Sequence, residues 1–98
     1  MSTGRDQSPV QQAKELLAQK EYRAALDLVT PWLADHPDDA SAWATLAAVH
    51  FQLEDWVPAK EAAAEVVRLR PDSARDWCNL GTVLRKLGEI QEADRAQH

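Results

Sequence analysis

Residues 40–73 read ASAWATLAAVHFQLEDWVPAKEAAAEVVRLRPDS, and the segments on both sides are imperfect copies of this stretch. Shifted forward by 34 residues, Trp43 falls on Trp77; shifted back by the same period, Pro71 falls on Pro37. Other positions that recur with residues of similar size include Ala13, Leu16, Ala25, Val29, Leu80, Gly81, Leu84, Leu87 and Ala93. Self-similarity at a fixed period of this length is typical of proteins built from stacked structural repeats.

The large and small residues of this stretch follow a recognisable order. They are Trp43, Leu46, Ala47, His50, Ala59, Ala63 and Pro71. This spacing resembles the tetratricopeptide repeat. The resemblance implies an all-α fold, a right-handed solenoid of antiparallel helix-turn-helix units with about two and a half repeats. These repeats would lie near residues 6–39, 40–73 and 74–98, the last one truncated.

Helix start and stop signals predict five full helices near residues 9–19, 22–33, 40–53, 56–69 and 74–87, and a short sixth helix from residue 89. Ser8, Asp55 and Ser73 are expected to cap helices, as is one of the acids in the turn that contains Pro37. Gly88 is expected to take a left-handed conformation and end the fifth helix. Residues 1–7 are predicted to be a disordered tail and residues 8–98 a single domain.

Pro31 disagrees with the helical pattern around it. A proline inside a helix cannot donate to the carbonyl four residues earlier, here that of Asp27, and costs about 3 kcal/mol unless the helix bends or ends. We therefore predict that the second helix kinks or finishes near Thr30, which would leave room for Trp32. Pro58, at the third position of its helix, is expected to be harmless.

The third helix carries two stripes of side chains separated by well over 90°. The stripe predicted to form the core contains Trp43, Leu46, Ala47, His50 and Leu53, and the other contains Ser41, Ala44, Ala48 and Phe51. Small residues are expected where paired helices cross closely, with Ala47 against Ala59 and Gly81 against Ala93. Trp43 and Trp77 are expected to fill the space between successive helix pairs.

Composition restricts the possible functions of the chain. A net charge of −5 in 98 residues disfavours general binding to nucleic acid or anionic membranes. The single Cys78 excludes an intrachain disulfide, and no apolar stretch reaches the length of a membrane span, so a cytoplasmic protein is expected. Tested enzyme signatures are absent, and His36, His50 and Cys78 are interpreted as structural residues. We therefore expect no catalysis, no cofactor and no metal.

The resemblance also implies a groove, lined by the first helix of each repeat, that receives a peptide or a partner helix. Carried over by position, the expected groove residues are Lys14, Leu17, Ser41, Ala44, Ala48, Phe51, Arg75, Cys78, Thr82, Arg85 and Lys86, with Gln7, Val10 and Gln52 beside them. The members of the family that clamp a carboxylate pair use lysine, asparagine and arginine, and here only Lys14 matches, with Ala48 and Thr82 in place of the others, so such a clamp is not expected. The basic residues at the far end favour a peptide with an acidic segment.

Three functional classes remain open at this point. The first is a non-catalytic adaptor or scaffold that binds another protein. The second is an arm or fragment of a larger protein that recruits substrate to a separate catalytic domain. The third is a homodimer that forms through an open apolar C-terminal end. For Phe51 itself, packing on a neighbouring helix is an equal alternative to contact with a ligand.

Overall fold

A computed structural model of the protein describes residues 8–96, with side chains described as far as residue 90. Within that range there are five helices and no β-strand. They are α1 (Pro9–Ala18), α2 (Tyr22–Asp35), α3 (Ala40–Gln52), α4 (Trp56–Leu69) and α5 (Ala74–Ala96). The prediction of five helices in an all-α repeat fold is confirmed. The predicted tail at 1–7 lies outside the described residues.

Helices that follow one another along the chain pack against one another, and α1 also contacts α3. The links at residues 19–21 and 53–55 are short, so α1 with α2 and α3 with α4 form antiparallel hairpins. The last helix, α5, packs on α4 as the first helix of the third repeat. No helix among the described residues is long and apolar enough to cross a membrane.

The turn inside each hairpin has the same geometry in both complete repeats. Lys20 and Glu54, one period apart, both have positive φ, at 66° and 61°. The next residue then donates its backbone N–H to the carbonyl five positions earlier, at 2.8 Å for Glu21 and 2.9 Å for Asp55. A left-handed residue followed by this bond is a standard way to satisfy the last carbonyls of a helix.

The turns between hairpins also repeat. The indole Nε1 of Trp43 donates to the carbonyl of Pro37 at 2.8 Å, and that of Trp77 donates to the carbonyl of Pro71 at 2.8 Å. These four residues are related by the 34-residue period. The recurring tryptophan therefore binds the start of its own helix to the turn before it.

Three of the predicted N-caps are present. Ser8 accepts the N–H of Gln11 at 3.2 Å, Asp39 accepts that of Ala42 at 3.1 Å, and Ser73 accepts that of Asp76 at 3.3 Å. Capping satisfies backbone donors that have no partner inside the helix. The fourth predicted cap, Asp55, does not form the expected hydrogen bond.

Asp55 occupies the N-cap position of α4 but makes no capping hydrogen bond. Its carboxylate lies instead 3.7 Å from Nδ1 of His50.

The apolar core draws on every helix and consists of alanines, valines and one leucine: Val10, Ala13, Ala25, Val29, Leu33, Ala42, Val49, Ala59, Ala62, Ala63, Val66, Val67 and Val83. The predicted core stripe of α3 was misplaced by part of a turn. Its fully buried residues are Ala42, Thr45 and Val49, whereas Trp43 and Ser41 are both half-buried. The reason is that α3 contacts α1, α2 and α4 together, so the side that faces all three is buried most deeply.

Of the two alternatives predicted for α2, a kink near Thr30 stays a prediction and an end there was wrong, because the helix continues through Pro31 to Asp35. Contacts of its last turn explain this. Leu33 is buried, and the ring of Trp32 stacks on His36 with 3.7 Å between centroids. Pro31 is exposed, so water can reach the side of the helix that lacks the proline N–H.

The predicted sixth helix was also wrong, because α5 continues through Gly88 to Ala96. Gly88 stands one period after Glu54, yet its φ is not positive. A glycine permits the left-handed conformation without requiring it. Residues 89–96 read EIQEADRA and contain one large apolar side chain, Ile90. They therefore offer little apolar surface to stabilise a turn back onto α5.

One face of α5 is consequently uncovered. Trp77 is 51% exposed and Leu84 is 47% exposed, so the expectation that Trp77 fills the core was wrong. A Cβ added to Gly81 would meet nothing within 4 Å, so no helix among the described residues crosses closely there. The expected partner of that crossing, Ala93, lies outside the described side chains.

Candidate functional site

A cavity of about 210 Å³ lies between α3 and α5, with residues of α4 at its base. From α3 it is lined by Ala44, Ala47, Ala48, Phe51 and Gln52. From α4 come Ala63 and Val66, and from α5 come Asp76, Asn79, Thr82 and Val83. The cavity exists because α5 packs on α4 and the facing residues of α3 are mainly alanines, which leave space between the two first helices.

Five of the predicted groove residues line this cavity: Ala44, Ala48, Phe51, Gln52 and Thr82. Ala44, Ala48 and Phe51 lie on one side of α3 because their spacing of four and three residues matches the helical turn. Thr82 lies opposite on α5, where its hydroxyl donates to the carbonyl of Cys78 at 3.1 Å. The bonded hydroxyl leaves the methyl group of Thr82 and the alanines as a mostly apolar lining.

Phe51 has two contacts of different kinds. Its ring packs edge-on against Trp56, with 5.0 Å between centroids and an angle of 82° between ring planes. The same ring lines the cavity. Packing on a neighbouring helix and contact with the cavity are therefore compatible, and the aromatic pair holds this wall in a fixed orientation.

Two polar residues of the cavity, Asp76 and Asn79, were missed by the sequence interpretation. Asp76 is 6% exposed, and its Oδ2 lies 3.1 Å from Nε of Arg70. One period earlier stands Ala42, which is fully buried. The 34-residue register could therefore have indicated Asp76. It places a carboxylate where the preceding repeat buries the small apolar side chain of Ala42.

A second, more open cavity of about 440 Å³ adjoins the first along Phe51 and Gln52. Its other lining residues are Glu54, Trp56, Lys86, Glu89 and Ile90. Of the predicted groove residues, Lys86 is placed here and not beside Thr82. Because Glu54 and Glu89 line the same cavity as Lys86, the cavity is not uniformly basic.

The remaining predicted groove residues line neither cavity. They are Lys14, Leu17, Ser41, Arg75, Cys78 and Arg85. Leu17 packs against the core, and Val10, also expected at the groove, is itself buried. Arg85 is exposed, with its Nε 4.0 Å from Oε2 of Glu89.

The positive charge of the C-terminal third is thus partly paired. Arg70 is paired with Asp76, and Arg68 with Glu65 at 2.8 Å. The hydrogen bonds that Arg68 donates to the carboxylate of Glu65, with the attraction of its charge, raise the pKa of the Arg68 guanidinium above its ordinary value.

The described part of the chain contains few side chains that are arranged for catalysis or metal binding. No group of three or more His, Cys, Asp or Glu side chains there could hold a metal ion. The nearest acid–base pair, His50 and Asp55, is 3.7 Å apart, and Nδ1 of His50 makes no hydrogen bond. The thiol of Cys78 is exposed and has no disulfide partner.

Comparison with known families gives one match. A family model described as tetratricopeptide repeat matches residues 16–80, which is more than half of the chain. No curated protein and no solved structure matched the chain. The matched range includes the turns of both complete hairpins, and it ends at Leu80 in α5.

Proposed function

Because the chain belongs to the tetratricopeptide repeat family, we propose that it is a non-catalytic adaptor that binds a segment of another protein at the cavity between α3 and α5. Repeats of this family generally mediate protein–protein interaction, and stacked repeats present extended surfaces for binding. The observation that carries the proposal is the meeting of Ala44, Ala48, Phe51 and Thr82 around one cavity.

The size of the cavity favours a single anchoring side chain. At about 210 Å³ it is smaller than the roughly 300–1,000 Å³ of sites that enclose whole small ligands. A peptide would insert one side chain here and lie across the edges of α3 and α5. Hot spots of this kind, a side chain in a desolvated pocket, supply most of the affinity in many interfaces.

Charges beyond the cavity support an acidic neighbouring segment in the partner. Arg75 and Arg85 are both exposed on α5, and their spacing of ten residues leaves them about 80° apart around the helix axis, close enough for one peptide to approach both. They would attract carboxylates of a peptide that continues along α5. The exposed thiol of Cys78 supports a reducing compartment such as the cytoplasm as the place of binding.

The test is to select peptides from a random library on the wild-type protein and to measure their affinity for Ala48→Phe, in which the new ring fills the cavity. We expect the selected peptides to lose about tenfold or more in affinity, the equivalent of one good anchor contact. Asn79→Phe, a change of an exposed residue at the cavity edge, should act in the same direction.

The matched control is Ala64→Phe, which adds the same ring at an exposed position of α4 that does not line the cavity. Circular dichroism melting of all three variants checks that the fold is retained. Peptides that bind the cavity variants and the control equally well would overturn the proposed site, and so would a selection that yields no binding peptide.

A second candidate function, self-association, rests on a different surface. Trp77 and Leu84 are exposed on α5, and Leu80 and Leu87 continue the same face half-buried. Alternating steps of three and four residues form the kind of seam along which helices pair. A molar mass of two chains that reverts to one chain in Trp77→Glu would support a dimer; a single-chain mass at millimolar concentration would exclude it.

A further inference from the structure

We infer that the side chain accepted by the cavity between α3 and α5 is basic, lysine or arginine, and that Asp76 selects it. This rests on the proposed function and specifies its partner. Asp76 lines the cavity and its side chain is 7% exposed. Its Oδ2 accepts no hydrogen bond, because Nε of Arg70, although 3.1 Å away, is not aligned to donate to it.

Packing does not require a carboxylate at this position. In the preceding repeat the equivalent residue is Ala42, which is fully buried. Asp76 lies in the first turn of α5, where the helix dipole favours an acid, but this benefit is available to a solvated acid as well. Burial instead removes hydration from the carboxylate, which is costly unless a cation and hydrogen-bond donors replace the water.

Arg70 replaces that hydration only in part. Its side chain is 46% exposed, so the pair that it forms with Asp76 is only partly enclosed by protein. A second cation that enters through the cavity could donate hydrogen bonds that Arg70 does not. Charge-assisted hydrogen bonds to a buried carboxylate are among the stronger polar contacts in proteins.

The rest of the cavity matches the stem of a long basic side chain. Ala44, Ala48, Val66 and Val83 line the cavity together with Asp76 and give this passage apolar walls. Lysine and arginine carry three or four methylene groups that pack on such surfaces while the charged end finds a polar partner. An acidic anchor would meet the charge of Asp76, and a short polar one would leave the passage empty.

The charges of the partner segment would therefore follow a fixed order along α5. A basic anchor enters the cavity beside Asp76, and acidic residues follow toward Arg75 and Arg85 at the exposed surface of α5. The opposite order, an acidic anchor with basic flanks, would place like charges together at both points and would be rejected.

The experiment compares four peptides, acetyl-Ala-Ala-X-Ala-Ala-amide, in which X is lysine, arginine, norleucine or glutamate. Affinities come from amide shift titrations of the wild-type protein and of Asp76→Asn, which keeps the shape of the side chain and removes its charge. Norleucine has the butyl chain of lysine without the ammonium. We expect the lysine and arginine peptides to bind wild type about tenfold more tightly than the norleucine peptide, and Asp76→Asn to abolish this difference.

The control variant is Asp72→Asn, which changes the net charge equally at an exposed position of the turn before α5. It should retain the preference for a basic anchor. If the lysine and norleucine peptides bind equally to wild type, or if Asp76→Asn leaves the preference unchanged, the basic anchor is overturned while the cavity remains a binding site. If none of the four peptides binds, both the basic anchor and this cavity as the binding site are overturned.

Discussion

Asp39 is the side chain that links two successive repeats. Its Oδ1 accepts the N–H of Ala42 at the start of α3, and its Oδ2 accepts the indole Nε1 of Trp32, near the end of α2, at 2.8 Å. One carboxylate therefore caps one helix and fixes the large side chain of the preceding one. Trp32 stands one period before Val66, and this bond fixes the larger ring, which packs half-buried against the core.

Replacing Asp39 with alanine should destabilise the protein by about 1–2 kcal/mol, since an N-cap is lost together with the acceptor for Trp32. Urea unfolding followed by circular dichroism measures the change in the free energy of unfolding. Asp38→Ala, at the neighbouring exposed acid, should stay within about 0.5 kcal/mol of wild type. An equal loss in the two variants would contradict this account of Asp39.

At the scale of residues, local chemistry was predictable and contacts across the structure were not. The caps at Ser8, Asp39 and Ser73 follow from side chains that bond backbone a few positions away. The bond between Trp32 and Asp39 depends on how two helices meet at a turn, which the sequence does not encode locally. Asp76 was missed because acids near a helix start are normally solvated, and burial depends on the neighbouring repeat.

At the scale of elements, α5 shows what determines where the first helix of a repeat ends. Lys20 and Glu54 adopt the left-handed conformation that closes the first helix of their repeats, whereas Gly88 at the same register remains helical. Lys20 and Glu54 thus adopt the left-handed conformation, although their side chains disfavour it, because the next helix packs back onto the first. Gly88 could adopt it freely but remains helical, because the residues after it provide little such packing. Tertiary contact, not local preference, decides the outcome here.

Replacing Gly88 with alanine should stabilise the protein by about 0.5–1 kcal/mol, because alanine is the better residue in a helix interior and its Cβ would meet nothing within 4 Å. Gly81→Ala, in the same helix and equally open, is the matched comparison and should give a similar gain. Thermal melts of both variants supply the measurement. A gain at Gly81 with a loss at Gly88 would indicate that Gly88 adopts positive φ in solution.

Helix boundaries illustrate the limit of prediction at this scale. The bounds of α4 were predicted correctly, and those of α1 and α3 within one residue, because caps and prolines mark the helix starts and the 34-residue period relates the ends. The end of α2 was missed because the packing of Trp32 and Leu33 outweighs the penalty of Pro31. The end of α5 was missed because a permissive glycine was interpreted as an obligatory stop.

At the scale of the whole molecule, binding should depend on salt although the chain as a whole is acidic. The net charge of −5 repels an acidic peptide overall, whereas Arg75 and Arg85 attract it locally. Raising the salt toward 1 M, where the Debye length is about 3 Å, should weaken binding of a selected acidic-flank peptide mainly by slowing association.

Arg85→Glu should weaken the same peptide further without unfolding the protein, since Arg85 is exposed. Stopped-flow association rates across a salt series provide the measurement. A peptide in which glutamines replace the flanking acids serves as the control and should show little salt dependence. Equal salt dependence of the two peptides would remove the argument for an acidic flank.

The most direct test of the central claim, that the cavity between α3 and α5 is the binding site, is an amide shift map of the protein titrated with the lysine-anchored peptide. The account predicts that the largest shifts lie around Ala48, Asn79 and Thr82, which line the cavity. Shifts concentrated instead on the outer surface of α4, around Lys60 and Glu61, would contradict it.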